Sequence, residues 1–224
     1  MTQPLPLIDK IDNFELITSE IAAILKTEAA AQLALAIAAG KPDPTLFDLR
    51  VFQDRSNPWE EFPSKTTDET PLANVYFDAT NFIAGGSTTM DVQKSASTFN
   101  IDLYGYGVSA DNPAGGHTPG DAAAIQAVKR AIRITRNILM SSKYSYLGLR
   151  GLVGYRRVAS ITAFQPQQDA DNAQHIAGAR IAFLVDFNEF SPQYEPTTLE
   201  LVSGQVKLAE NNEVVIVADY DYTT

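Results

Sequence analysis

Between Ala177 and Phe187 every second residue is apolar: Ala177, Ala179, Ile181, Phe183, Val185 and Phe187. A second run keeps the same period, with Ser97, Phe99, Ile101 and Leu103 on one parity and Thr98, Asn100, Asp102, Tyr104 and Tyr106 on the other. Successive side chains of a strand point to opposite faces, so a sustained period of two means a strand with one core face and one wet face. Such strands belong mostly to antiparallel sheets. Three shorter stretches follow the same rule. Phe47, Leu49 and Val51 alternate with Asp48, Arg50 and Phe52, and Val75, Phe77 and Ala79 alternate with Asn74, Tyr76, Asp78 and Thr80. Val153 to Phe164 reads as a strand with Arg157, Ala159, Ile161 and Ala163 on one face, and the turn at residues 165–176 lets it pair antiparallel with the long final strand.

Two segments have helical character instead. From Asn13 to Ala39 the residues Leu16, Ile17, Ile21, Ile24, Leu25, Leu33, Leu35 and Ile37 mark an apolar stripe that widens into alanines. Asp12 with Glu15 forms a capping-box pattern, and Gly40 followed by Pro42 is a stop signal. Small residues all round predict a helix covered on more than one side. The second helix runs to about Ser142 after Thr118-Pro119-Gly120-Asp121, where Thr118 suits the cap. Ile125, Val128, Ile132, Thr135 and Leu139 gather on one side of it, and Lys129, Arg130, Arg133 and Arg136 on the other.

Residues 54–71, with the single Trp59, read as a polar loop insertion, and Ser109 to Gly120 as a Gly- and Pro-rich loop. After Pro192 and Pro196 the tail reads as a β-hairpin of Leu199–Leu208 and Val214–Ala218. The domain reading is an α/β (α+β) core over residues 1–195, an antiparallel sheet flanked by helices, with a C-terminal hairpin arm over 196–224. At 224 residues the chain can bury roughly 70% of its unfolded surface in one core. No apolar run reaches the roughly 18 residues of a membrane span, and the N-terminus lacks the regions of a signal peptide, so a soluble protein made in a cytoplasm is expected.

Charge is segregated. Residues 1–121 carry a balance of −10, residues 122–168 carry eight basic and no acidic residues, and residues 169–224 carry −8. The plain account is that neighbours in the same fold supply the counter-charges. The sharper account is a basic surface that meets an acidic one on another subunit or protein, involving Lys129, Arg130, Arg133, Arg136, Arg156 and Arg157. Apolar residues of the arm, among them Leu201, Val206, Val215 and Val217, need a surface as well, because a lone two-stranded hairpin is marginal in water.

Ordinary catalytic chemistry is short of parts. The chain has no cysteine and two histidines, His117 and His175, too few for the usual zinc sites. Gly85-Gly86-Ser87-Thr88-Thr89 lacks the lysine and spacing of a phosphate loop, and no nucleophile elbow exists. Asp169, Asp171 and Asn172 lack the glycine and distal glutamate of a calcium loop. Asp186 and Glu189 could pair as acid and base, and Tyr104, Tyr106, Tyr144, Tyr146 and Tyr155 could stack bases of a single strand, but neither set carries a specific signature. The expectation is no catalytic residue, no cofactor and no metal.

The order of elements, and the segments Asn100-Ile101-Asp102-Leu103, Ala124–Leu139, Tyr155–Ile161 and Ala179–Phe187 within it, resemble the tail-terminator (tail-completion) proteins of long-tailed bacteriophages. The resemblance covers residues 13–190. It implies a structural virion protein of the tail and neck, assembled in the host cytoplasm. It implies a homohexameric ring that caps the tail tube protein, ends tail growth and offers a surface to a head-side connector or stopper protein. DNA would pass its channel without specific binding, no membrane would be involved, and a contractile tail would add the sheath protein as a neighbour. The alternatives are another neck, connector or baseplate protein, or, from a different class, a small-molecule enzyme or a single-stranded nucleic-acid binder.

Overall fold

The computed structural model describes residues 9–62, 70–82, 92–111, 116–166, 175–190, 201–207 and 214–221. The chain divides into two compact units, Met1–Phe190 and Ser191–Thr224. In chain order the first unit holds α1 (Asn13–Ala38), β1 (Arg50–Gln53), β2 (Leu72–Phe82), β3 (Val92–Tyr106), β4 (Ala110–Asp111), β5 (His117–Thr118), α2 (Gly120–Leu139), β6 (Val153–Phe164) and β7 (Ile176–Phe190). The second unit holds β8 (Leu201–Lys207) and β9 (Val214–Asp221), paired antiparallel as the hairpin the sequence predicts.

The main sheet has the order β1-β2-β3-β7-β6. Four of its strands run antiparallel, but β1 pairs with β2 in parallel, so the sheet is mixed and the fold is α+β. The expected 47–52 strand starts only at Arg50: Phe47 closes a 3₁₀ turn, Pro44–Phe47, and Asp48 and Leu49 link the two. Proline at its start favours that turn, and the Asp48 carboxylate then accepts from the Leu49 N–H at 2.8 Å, which delays the strand to Arg50.

Both helices lie against one face of the sheet. Ile17, Ile21, Ile24, Leu25 and Ala29 of α1 and Ala131, Ile138 and Leu139 of α2 share a core with Val75, Phe99, Ile101, Leu103, Ile181, Phe183 and Val185. The α1 capping box forms as expected. Its covering does not: Leu35 is 62% exposed and Ile37 59%, while Ala29 and Ala36 are buried, so the helix is covered along one side only. By length and composition α1 is also long and apolar enough to cross a membrane, contrary to the expectation of no such segment; its buried side belongs to the core.

The inward side of α2 is rotated from the expected stripe. Ala124, Ala127, Val128, Ala131, Thr135, Ile138 and Leu139 are buried, while Ile125 is 45% exposed. Gly105 explains the shift: a Cβ there would stand 2.6 Å from the Ala124 carbonyl oxygen, so the helix backbone rests directly on β3 and only small side chains fit between. Thr118 pairs in the short β4–β5 ladder and does not cap α2; the Ser109 hydroxyl accepts from the Gly120 N–H at 3.0 Å in its place.

The opposite face of the sheet is not wet at its Tyr104 end. Asn100, Asp102 and Tyr104 are all buried. The stretch read as a polar insertion contains a 3₁₀ turn, Pro58–Glu61, and packs Phe62 and Trp59 with Leu72, Tyr104, Ile176 and Phe164 into a second, smaller core.

Candidate functional site

Cross-strand register builds the floor of a cleft on this second face. Asn74, Asp102 and Arg180 stand opposite one another on β2, β3 and β7. In the next row Leu72 faces Tyr104, Tyr104 faces Gly178, and Gly178 faces Phe164 of β6. A Cβ at Gly178 would lie 2.7 Å from the Phe164 ring, so glycine is what lets that ring lie over β7 and meet Tyr104 edge-on at 5.7 Å.

The wall comes from residues 54–62. Asp54 takes a positive φ of 52° and donates its N–H to Val75 O at 3.0 Å, turning the chain off the end of β1. Asn74 then pins the next residue from both ends of its amide, accepting from Arg55 N at 3.1 Å and donating to Arg55 O at 2.8 Å. Arg55 bonds Glu61 at 2.6 Å and lies over the Phe52 ring, and Trp59 meets Tyr104 at 5.3 Å. The result is a cleft of about 570 Å³ lined by Trp59, Tyr76, Asp102, Tyr104, Phe164 and Arg180, among others. Pockets of this size hold small ligands.

At its centre Arg180 donates from Nε to Asp102 Oδ1 at 2.7 Å and from Nη2 to Oδ2 at 2.9 Å. Oδ2 also accepts from the Tyr76 hydroxyl at 3.1 Å, with the Tyr104 hydroxyl at 3.5 Å. Burial, reinforced by the Asp102 charge, pushes the Tyr76 hydroxyl up to about 12 and the Tyr104 hydroxyl upward as well. The Asp102 hydrogen bonds hold Arg180 still more firmly in its charged form. The cleft therefore offers binding contacts, while its two tyrosines stay protonated through the neutral range.

The residues expected at an interface are placed differently from one another. Lys129, Arg133 and Arg136 are exposed on α2 and pair with no carboxylate among the described residues. Arg130 is half-buried, its guanidinium 5.1 Å from the Phe47 ring centre. Arg157 is exposed on β6. Arg156, expected on a surface, is instead buried and donates to Tyr144 O at 2.5 Å and Ser141 O at 2.6 Å, tying β6 to the turn after α2. Burial lowers its pKa, a cost those carbonyls offset. Leu201 and Val206 lie on β8 and Val215 and Val217 on β9, where Val217 faces Gln205. Of the eight cations in the acid-free segment, only Lys143 meets a carboxylate among the described residues, Glu28 of α1 at 2.6 Å.

The weaker candidates do not assemble. Asp186 and Glu189 are three apart on one strand and so lie on opposite faces. His117 pairs with Asp111 on the β4–β5 ladder, and His175 stands against Tyr106 at the start of β7. Tyr104 and Tyr106 belong to the second core, Tyr144 and Tyr146 to the turn after α2, and Tyr155 is exposed on β6, so the five do not share one stacking surface. Among the described residues no group of His, Asp and Glu could hold a metal ion. Residues 85–89, 169 and 171–172 lie outside the described residues. Asp102, Arg180, Tyr76 and Asn74 were not singled out from sequence; their one signal was opposite charge at polar-parity positions of two long strands. No family model matches the chain, and no curated protein matches it.

Proposed function

We propose that this chain is a structural virion protein, a tail terminator whose copies form a homohexameric ring that caps the tail tube and presents a surface to the head-side connector. The observation that carries this reading is the cationic side of α2. In an acidic chain Lys129, Arg133 and Arg136 stand exposed without a carboxylate among the described residues, the arrangement expected of a face that meets an acidic surface on another subunit. Opposite charges across a ring contact set register and approach more than raw affinity. The order helix, three strands, helix, two long strands, on which the resemblance rests, is also the order of the main elements of the first unit. An overall charge of −10 suits a channel that DNA crosses without sticking.

The test is the mass in solution, followed by negative-stain imaging of virus particles labelled through a tag on this chain. A six-copy ring with label at the head–tail junction is expected. A 24.4 kDa monomer with no label on the particles would overturn the reading.

A further inference from the structure

We infer that the cleft on the second face binds a carboxylate carried on an apolar, flat body, held end-on by Arg180. This goes beyond the assembly reading and does not rest on it.

A guanidinium presents two edges that can each hold a carboxylate through parallel N–H bonds. Asp102 occupies one of them, the Nε–Nη2 edge, with its two oxygens at 2.7 and 2.9 Å. The other edge, Nη1 with the second N–H of Nη2, has no acceptor among the described residues. Arg180 lines the cleft and keeps 44% of its side chain exposed, whereas Asp102 keeps 7%. The carboxylate thus orients the guanidinium from below and leaves its far edge to a ligand.

The orientation is fixed in advance. The rings of Tyr76 and Phe164 stand over the guanidinium with centroids 5.6 and 5.7 Å from Cζ, and Phe164 keeps its place because residue 178 is glycine. A pre-set donor pair loses little side-chain freedom on binding, which favours affinity.

The Asp102 oxygens already face three hydrogen bonds and the Tyr104 hydroxyl, so the cleft's free capacity around Arg180 is for a ligand that brings acceptors. The charged residues of the lining, Asp54, Arg55, Asp102 and Arg180, cancel. Without excess positive charge a phosphate dianion gains little, while a monoanion of matching planar geometry pairs with the open edge. Trp59, Tyr104 and Phe164 supply aromatic wall for the ligand's body. A small aromatic acid and the C-terminal residue of another protein chain share this chemistry.

The experiment titrates the full chain, by calorimetry and by the fluorescence of the single Trp59, with five probes. These are 3-phenylpropionate, 3-phenylpropanamide, 2-phenylethyl phosphate, the tripeptide Gly-Gly-Phe with a free carboxylate, and its C-terminal amide. Each acid is expected to saturate and to bind about 10- to 100-fold tighter than its amide. Arg180→Lys keeps a charge for Asp102 but lacks the planar fork, and should bring the acids to within about threefold of the amides. A tripeptide acid about tenfold tighter than phenylpropionate identifies a chain terminus as the source, and equal affinities identify a free acid. Amides that bind as well as the acids, a phosphate that binds more tightly, or no saturation with any probe would overturn the inference. If Arg180→Lys does not fold, the comparison of acid, amide and phosphate on the native chain decides alone.

Discussion

Asp102 and Arg180 face each other across the β3–β7 ladder, and the guanidinium grips both carboxylate oxygens at 2.7 and 2.9 Å. The two residues are 78 apart in the chain, so their pairing exists only when β3 and β7 are in register. The partners are not equally desolvated, which makes the pair's energetics testable.

Removing the exposed partner should hurt more than removing the buried one. Arg180→Leu leaves a carboxylate buried with only tyrosine hydroxyls for company, and the expected loss is about 3–5 kcal/mol. Asp102→Leu leaves a guanidinium that can reach water, and should cost less. Urea denaturation of both variants checks the order, and equal losses would count against the buried setting of Asp102.

Close approach of α2 to β3 predicts a steric penalty at Gly105. Its Cβ would meet the Ala124 carbonyl oxygen at 2.6 Å and Val128 Cγ2 at 2.9 Å, so Gly105→Ala should destabilise by about 1–3 kcal/mol. Gly154→Ala is the control. The nearest atom there is Asp186 O at 3.7 Å, ordinary contact, and the change should stay within about 0.5 kcal/mol.

The proposed ring contact predicts that Lys129, Arg133 and Arg136 changed together to Glu give a normally folded protein that no longer assembles. Arg130 is spared because its guanidinium lies over Phe47 within the same fold. Single changes should be mild, since exposed pairs contribute about 0–1 kcal/mol each. Size-exclusion chromatography with light scattering reads the outcome, and assembly that survives the triple reversal refutes the role assigned to this face.

A pH dependence follows from Glu28, which accepts from Lys143 at 2.6 Å and from the Tyr144 hydroxyl at 2.5 Å. Those hydrogen bonds hold its pKa below the usual carboxylate range. A lowered carboxylate pKa means stability present above the unfolded pKa and lost as pH falls through the folded one. The Glu28 bond raises Lys143, whose contribution is lost as pH rises through its folded pKa, above the ordinary lysine range. Glu28→Gln should therefore flatten the acid limb of a stability–pH curve measured by urea midpoints, with the rest of the curve little changed. An unchanged acid limb would show that this contact is not made in solution.

Ending the chain after Tyr194 should leave the first unit folded, with a cooperative melt by circular dichroism. Met1–Phe190 forms a compact unit with its own core. Loss of the cooperative transition on truncation would show that the hairpin segment is needed for folding.

The long strands were legible because alternation is a local property. Phe99, Ile101 and Leu103, and Ile181, Phe183 and Val185, fall in the core as their parity predicts. The α1 cap was legible for the same reason, since Asp12 and Glu15 satisfy each other within one turn. The Arg180–Asp102 cleft was not. Nothing local in Asn100-Ile101-Asp102 says that a guanidinium will stand opposite, and nothing in Asn57-Pro58-Trp59 says which face that segment will cover.

Periodicity, caps and turn residues depend on neighbours within a few positions, so they settle where strands and helices begin and which parity of each strand is apolar. Burial of the polar parity is another matter. Asp102 is buried because β7 brings Arg180 beside it and residues 55–62 close over the same end of the sheet. Arg156 turns inward, although Arg157 beside it stays exposed, because the turn after α2 brings the Ser141 and Tyr144 carbonyls within reach of its guanidinium. α2 presents alanines to the sheet because Gly105 brings the backbones close. Each of these outcomes depends on atoms far apart in the chain, whose distances only the packed fold sets.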